Sequence, residues 1–165
     1  MKRLWALLLA LCLALPLSAS ATRTRITSFT EAEWDAVNAY LDALDERVFY
    51  GGMASLSADE RLLYIAMTYN GLMLSGGLDS VLAYMEPEEV AEIPAALRFV
   101  GALEHAAQFD AFMAQLPISP ALLHHLADLS PQLTPSFKEQ NAAFIALDEE
   151  RALTSILFCH IHTGE

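Results

Sequence analysis

Positive charge is what this chain has least of. Nine Lys and Arg stand against 21 Asp and Glu, a formal net charge of −12 over 165 residues. A protein that grips phosphate backbones needs a basic footprint, so this balance argues against nucleic acid as a partner. It also disfavours anionic membrane surfaces. Cysteine is scarcer still, present only as Cys12 and Cys159. No stretch sustains the apolar–polar alternation of a half-buried strand, and no repeat or linker composition divides the chain. An acidic surplus favours solubility and basic partners.

The N-terminus reads MKRLWALLLALCLALPLSASA. Lys2 and Arg3 are its only charges, and Leu4 to Leu17 is an apolar run broken only by Pro16. Ala19-Ser20-Ala21 is the small-x-small pattern that a signal peptidase reads. The expectation is a secretory signal peptide over residues 1–21, cut after Ala21. The run is too short for a membrane anchor, which takes about 20 apolar residues. Leu11 before Cys12 argues against lipoprotein processing there. Export to the periplasm or medium follows, with residues 22–165 as a single mature domain. Losing Lys2 and Arg3 leaves 7 basic and 21 acidic residues, a net charge of −14. Only Cys159 then remains, so no intramolecular disulfide can form, and packing must hold the domain.

Helical signals follow one another. Thr30 to Glu33 reads as a capping box. Trp34, Val37, Leu41, Leu44 and Val48 then recur at helical spacing until Gly51-Gly52, with Trp34 expected in the core. Ser57 to Glu60 is a second capping box, and Leu62, Ile65, Ala66, Tyr69, Leu72 and Met73 follow. That helix is expected to stop at Ser75-Gly76-Gly77, with Gly76 or Gly77 at positive φ. Leu78 to Met85 makes a short helix, and Pro87 starts an acidic turn. Pro94 begins a helix through Leu97, Val100, Leu103 and Ala107 to about Leu116. Ser119-Pro120 and Thr134-Pro135 read as N-cap plus N1 proline. Asp148 caps the last helix. The fold class expected is all-α, one compact domain of six or seven helices.

Ser75 to Ser80, SGGLDS, resembles the phosphate-binding loop of the ATP pyrophosphatases. Such a loop follows a buried parallel strand and needs basic groups near it. Here the segment before it is helical and the surroundings are acidic, so the ATP reading is rejected. A second resemblance covers residues 56–111. Leu56, Glu60 and Tyr64 open it, Gly71, Gly76 and Gly77 follow as a joint, and Ala96-Leu97 leads to Val100-Gly101-Ala102. In these residues the chain resembles the bacterial DNA-mimic-protein-like domain family. The family's polar joint residues are replaced here by Leu72, Leu74, Ser75 and Leu78, so any role they serve is not carried over. The resemblance implies an acidic, all-helical domain whose carboxylates stand in for DNA phosphates before a DNA-binding protein. It also makes a homodimer compatible with the chain. Gly71, Gly76, Gly77 and Gly101 are its structural residues.

The remaining candidates are weak as chemistry. His124 and His125 are adjacent, and His160 and His162 are two apart, so neither pair shares a helix face, and no i, i+4 pair of histidines exists. His105 beside Glu104 faces elsewhere. Cys159 is next to His160 in sequence, which does not make a catalytic pair. No metal, cofactor or catalytic residue is expected. The carboxylates form two sets. Glu31, Asp35, Asp42 and Glu46 share one face of the first helix, with gaps of about 6, 10 and 6 Å. Glu86, Glu88, Glu89 and Glu92 cluster in sequence. The expected function is an exported, non-enzymatic interaction module that binds or inhibits a basic protein. The alternative is a small exported enzyme or ligand binder. A plain solvated face is the competing account of both acidic sets.

Overall fold

The computed structural model of the protein describes residues 29–115 and 134–164. The expected signal peptide, Cys12, the Ser119-Pro120 helix start and the His124-His125 pair lie outside them. Among the described residues the chain is all-α, with seven helices and no strand.

α1 (Glu31–Gly51) starts on the expected capping box. The Thr30 hydroxyl accepts from the Glu33 N–H at 3.3 Å, and Glu33 accepts from the Thr30 N–H at 2.7 Å. Val37 and Leu44 are its buried residues. Trp34 is not in the core as expected but 37% exposed. It packs one side of its ring on Phe158, with centroids 4.0 Å apart, and meets Phe29 at 5.7 Å.

A single 3-10 turn (Met53–Ser55) leads to α2 (Ala58–Gly76), whose capping box pairs Ser57 with Glu60. This helix is the hub, packing against α3 (Leu78–Tyr84), α4 (Pro87–Phe99), α6 (Thr134–Glu150) and α7 (Leu153–Thr163). Its inward face carries Leu63, Ile65, Ala66, Tyr69, Asn70 and Met73. Tyr69 meets Phe109 and Phe144 edge-on at 5.4 and 5.9 Å, at the centre of the core.

The α2–α3 joint turns on Gly77, which has φ 70° and ψ −159°. That region is essentially closed to residues with a Cβ. A Cβ there would also stand 2.3 Å from Asn141 Nδ2. The close approach has a purpose, because Asn141 Oδ1 accepts from the Leu78 N–H at 2.9 Å. A side chain of α6 thus caps the first turn of α3.

Two expectations about the prolines fail here. Pro87 is the first residue of a helix rather than a turn. A proline fits there because the first helical N–H has no intrahelical partner anyway. Pro94 does not begin a helix but lies inside α4. It has no N–H to give the Val90 carbonyl. The helix continues because Ile93, Ala96 and Leu97, which flank it, are fully buried.

The expected single helix from 94 to 116 is two helices. α4 ends in a Schellman turn: the Gly101 N–H donates to Arg98 O at 3.1 Å, and the Ala102 N–H to Leu97 O at 2.8 Å. Gly101 has φ 81°. α5 (Leu103–Gln115) then restarts with a new phase. Leu103, placed inside by running the earlier period onward, is 60% exposed. His105, Ala106, Phe109 and Phe112 are buried instead. The last helix, α7, does not start at Asp148 as expected: Asp148 lies inside α6 and Ala152 is the N-cap, while the Asp148 carboxylate reaches across to accept from the Leu153 N–H at 2.7 Å.

Candidate functional site

Each arginine among the described residues is spent on a carboxylate of the same chain. Arg47 clamps Glu60 through two N–H···O bonds of 2.5 and 3.1 Å and donates to the Ser55 carbonyl at 2.6 Å. Arg47, followed by the Ser57 N–H, holds the Glu60 carboxyl down to about 2. Arg61 grips Glu92 through bonds of 2.8 and 2.9 Å, tying α2 to α4. Arg98 pairs with Asp110, and Arg151 with Glu104. The negative charge left over is what the surface shows.

That bookkeeping splits the two expected acidic sets. In the 86–92 set, Glu92 is engaged by Arg61. Glu89 accepts from the Glu86 N–H at 3.0 Å, which closes the start of α4. Glu86 is the N-cap of that helix. Only Glu88 and Glu86 are fully on the surface. These residues mainly build the helix and its tie to α2. The α1 set is different. Glu31, Asp35, Asp42 and Glu46 are all exposed. At 100° per residue they fall within about 60° of arc. Among the described residues no cation pairs with any of them. The stripe faces away from Val37 and Leu44, so it is held in place by a helix that does not need it for packing.

The SGGLDS word cannot cradle a phosphate here. A helix, not a strand, runs into it. The Gly77 N–H is bonded to Leu72 O and Met73 O, and the Leu78 N–H to Asn141. Gly77 is the residue on which the joint depends. Gly71 lies inside α2, exposed, with open space where a Cβ would stand, and is not part of the joint.

A groove of about 580 Å³ separates α1 from α7 and the start of α2. Its walls include Val37, Tyr40, Leu63, Phe99, His160 and His162. Its polar groups are largely committed to the fold. Glu60 is held by Arg47, His162 lies 3.3 Å from Glu33, and His160 meets Phe99 edge-on at 4.8 Å. Among the described residues no three His, Cys, Asp or Glu side chains gather to hold a metal ion. No described helix is long and apolar enough to cross a membrane. His105 is fully buried, with neither ring nitrogen hydrogen-bonded and Asp148 4.0 Å away. Burial pushes its pKa down, against the pull of Asp148 and Glu104.

Sequence reasoning passed over Phe49 and Tyr50, which are 81% and 79% exposed. The signal was there. Two aromatics stand together just before Gly51-Gly52, outside the 34-37-41-44-48 stripe.

A family model described as DMP19-like protein matches residues 54–158. The match contains the Gly77 joint, the Gly101 turn and the 86–92 carboxylates, whereas α1 precedes it. No curated protein and no solved structure matches the chain. The chain belongs to the DMP19-like family, whose name denotes a DNA mimic protein.

Proposed function

We propose that this DMP19-like protein is a non-enzymatic, DNA-mimic-type binder, and that the carboxylate stripe on α1 is the face it offers to a basic, DNA-binding protein. Family membership supports the DNA-mimic class. One observation carries the assignment to α1. Its four carboxylates share one exposed face with no cation of the described chain paired to them, while each described arginine is spent elsewhere. Fixed carboxylates at intervals of about 6–10 Å along a rigid rod present a row of charge to a basic groove. Export is part of the proposal. It draws on the charged start, apolar run and Ala19-Ser20-Ala21 site, and it places the encounter outside the cytoplasm.

The test reverses Glu31, Asp35, Asp42 and Glu46 to Lys. Wild-type and variant proteins capture partners from a periplasmic or secreted extract at rising salt, read by mass spectrometry. The wild type should retain a basic protein that salt elutes, because exposed charges are screened within about 8 Å at physiological ionic strength. The variant should fold and lose that protein. Equal capture and equal salt dependence would remove α1 from the interface. Mass measurement of the exported protein should place its first residue at Thr22.

A further inference from the structure

We propose that the C-terminal end of α1 anchors one arginine side chain of the basic partner, held between the Phe49 and Tyr50 rings and the carboxylates of Asp45 and Glu46. This rests on the binder reading above. It adds where the contact concentrates and which cation it takes.

Phe49 and Tyr50 are the most exposed large apolar side chains among the described residues. Their rings meet edge to face at 5.0 Å. They border an open hollow of about 540 Å³, completed by Asp45, Glu46, Val48 and Tyr64. The apolar stripe of α1 is already finished at Val48, so the two rings contribute nothing to the core.

Three sources of negative potential converge on this hollow. The carboxylates are the first. The faces of the two rings are the second, since an aromatic quadrupole attracts a cation placed over it. The third is the end of α1 itself. Its last carbonyls form the negative pole of the helix dipole, and its last turn holds no basic residue. Arg47, the neighbouring cation, is turned onto Glu60 and the Ser55 carbonyl and does not fill the place.

The chemistry selects the occupant. A guanidinium is planar and weakly hydrated, so it stacks on a ring while its N–H fork reaches carboxylates. An ammonium keeps its water and stacks poorly. A purely apolar partner would strip water from Asp45 and Glu46 without pairing them. A second copy of this chain would set these carboxylates against their own kind. Aromatic and arginine side chains are also the types in which binding energy concentrates at protein interfaces.

The test uses the whole chain and two peptides of equal charge, nona-arginine and nona-lysine, titrated at about 0.15 M salt. The wild type should bind the arginine peptide about five- to tenfold more tightly than the lysine peptide. A Phe49→Ala/Tyr50→Ala variant should lose that preference, weakening the arginine peptide far more than the lysine peptide. Both rings lie in solvent, so this variant folds, and circular dichroism checks that it does. Reversal of Glu31, Asp35 and Asp42 should weaken both peptides alike and leave the preference. An arginine preference unchanged in the double-alanine variant overturns the anchor while the acidic-binder reading stands. A wild type that binds neither peptide overturns both. A wild-type dimer that the double-alanine change dissociates also overturns the anchor, by giving the rings to self-association.

Discussion

α1 and α2 both start on a Ser or Thr capping box and both stop at a glycine of positive φ, yet α2 buries six of its residues and α1 two. The local devices are equal, so the difference arises from what surrounds each helix. α2 has neighbours on most sides, and its sequence answers with Ile65, Ala66 and Tyr69 turned inward. α1 lies along the outside, against α7 and the 3-10 turn. It keeps a narrow apolar seam and leaves the rest of its circumference to carboxylates. The family match follows the same division, starting at Ala54 after α1 has ended. A buried hub helix and an outer helix with an exposed carboxylate face can thus be built from the same start and stop signals. What the outer helix displays can change without touching the core.

That division predicts its largest effect in the scaffold. Ile65 is fully buried in the helix around which the others pack. Replacing it with Ala removes its packing and leaves a cavity, at a cost of about 2–5 kcal/mol. Urea unfolding should report a lower midpoint with an unchanged slope. A loss under about 1 kcal/mol would mean that the core repacks freely, and the contrast between the helices would fail.

How much of this was legible in the sequence depends on the range of the interaction. The two capping boxes and the Gly-Gly stop are written within a few residues, and all were readable, whereas Asp148, read as the start of the last helix, proved to lie inside α6. Pro94 was not, because its local signal says helix start. The burial of Ile93, Ala96 and Leu97, set by distant residues, overrides it. The phase of α5 was lost at Gly101, since a 3.6-residue period cannot be continued through a left-handed residue. The Asn141 cap on Leu78 and the Arg61–Glu92 clamp join residues far apart in the chain, and nothing local announces them. For the candidate site, the α1 carboxylates were legible as a periodic face. That the 86–92 carboxylates are largely committed to α4 and its tie to α2 required the arginine partners to be known. Phe49 and Tyr50 were visible as a departure from the apolar stripe, but only burial separates a departure from a core residue.

A second prediction concerns the histidine buried in the scaffold half. His105 sits in α5 against Phe144 of α6, without hydrogen bonds to its nitrogens. Burial holds its pKa below the ordinary 6.5. Between that lowered value and 6.5 the unfolded chain carries more proton than the folded one. Stability is therefore fully present above pH 6.5 and falls as pH drops toward the folded value, by at most about 1.4 kcal/mol per pH unit. The charges of Asp148 and Glu104 temper the effect, whereas that of Arg151 adds to it. His105→Phe should remove this slope, measured by urea unfolding across the window. A slope that survives the substitution would move the pH sensitivity to other groups.

The smallest effects test whether α1 is a display helix. Glu31 lies in its first turn, where a negative charge complements the positive pole of the helix. Glu46 lies toward the other end, with Asp42 one turn before it. Glu31→Lys places a cation at the positive pole and should destabilise. Glu46→Lys replaces a like-charge neighbour of Asp42 with an opposite one, in the favoured order of acid before base, and should stabilise. Each change should stay within about 0.5 kcal/mol, a shift of about 1–3 °C in melting temperature. The two shifts should be opposite in sign and shrink together as salt is added. If both variants gain stability, self-repulsion along the stripe outweighs the helix pole, and the row of carboxylates is held under strain that a basic partner would relieve. If either loses several kcal/mol, that carboxylate is part of the packing, and α1 is scaffold as much as α2.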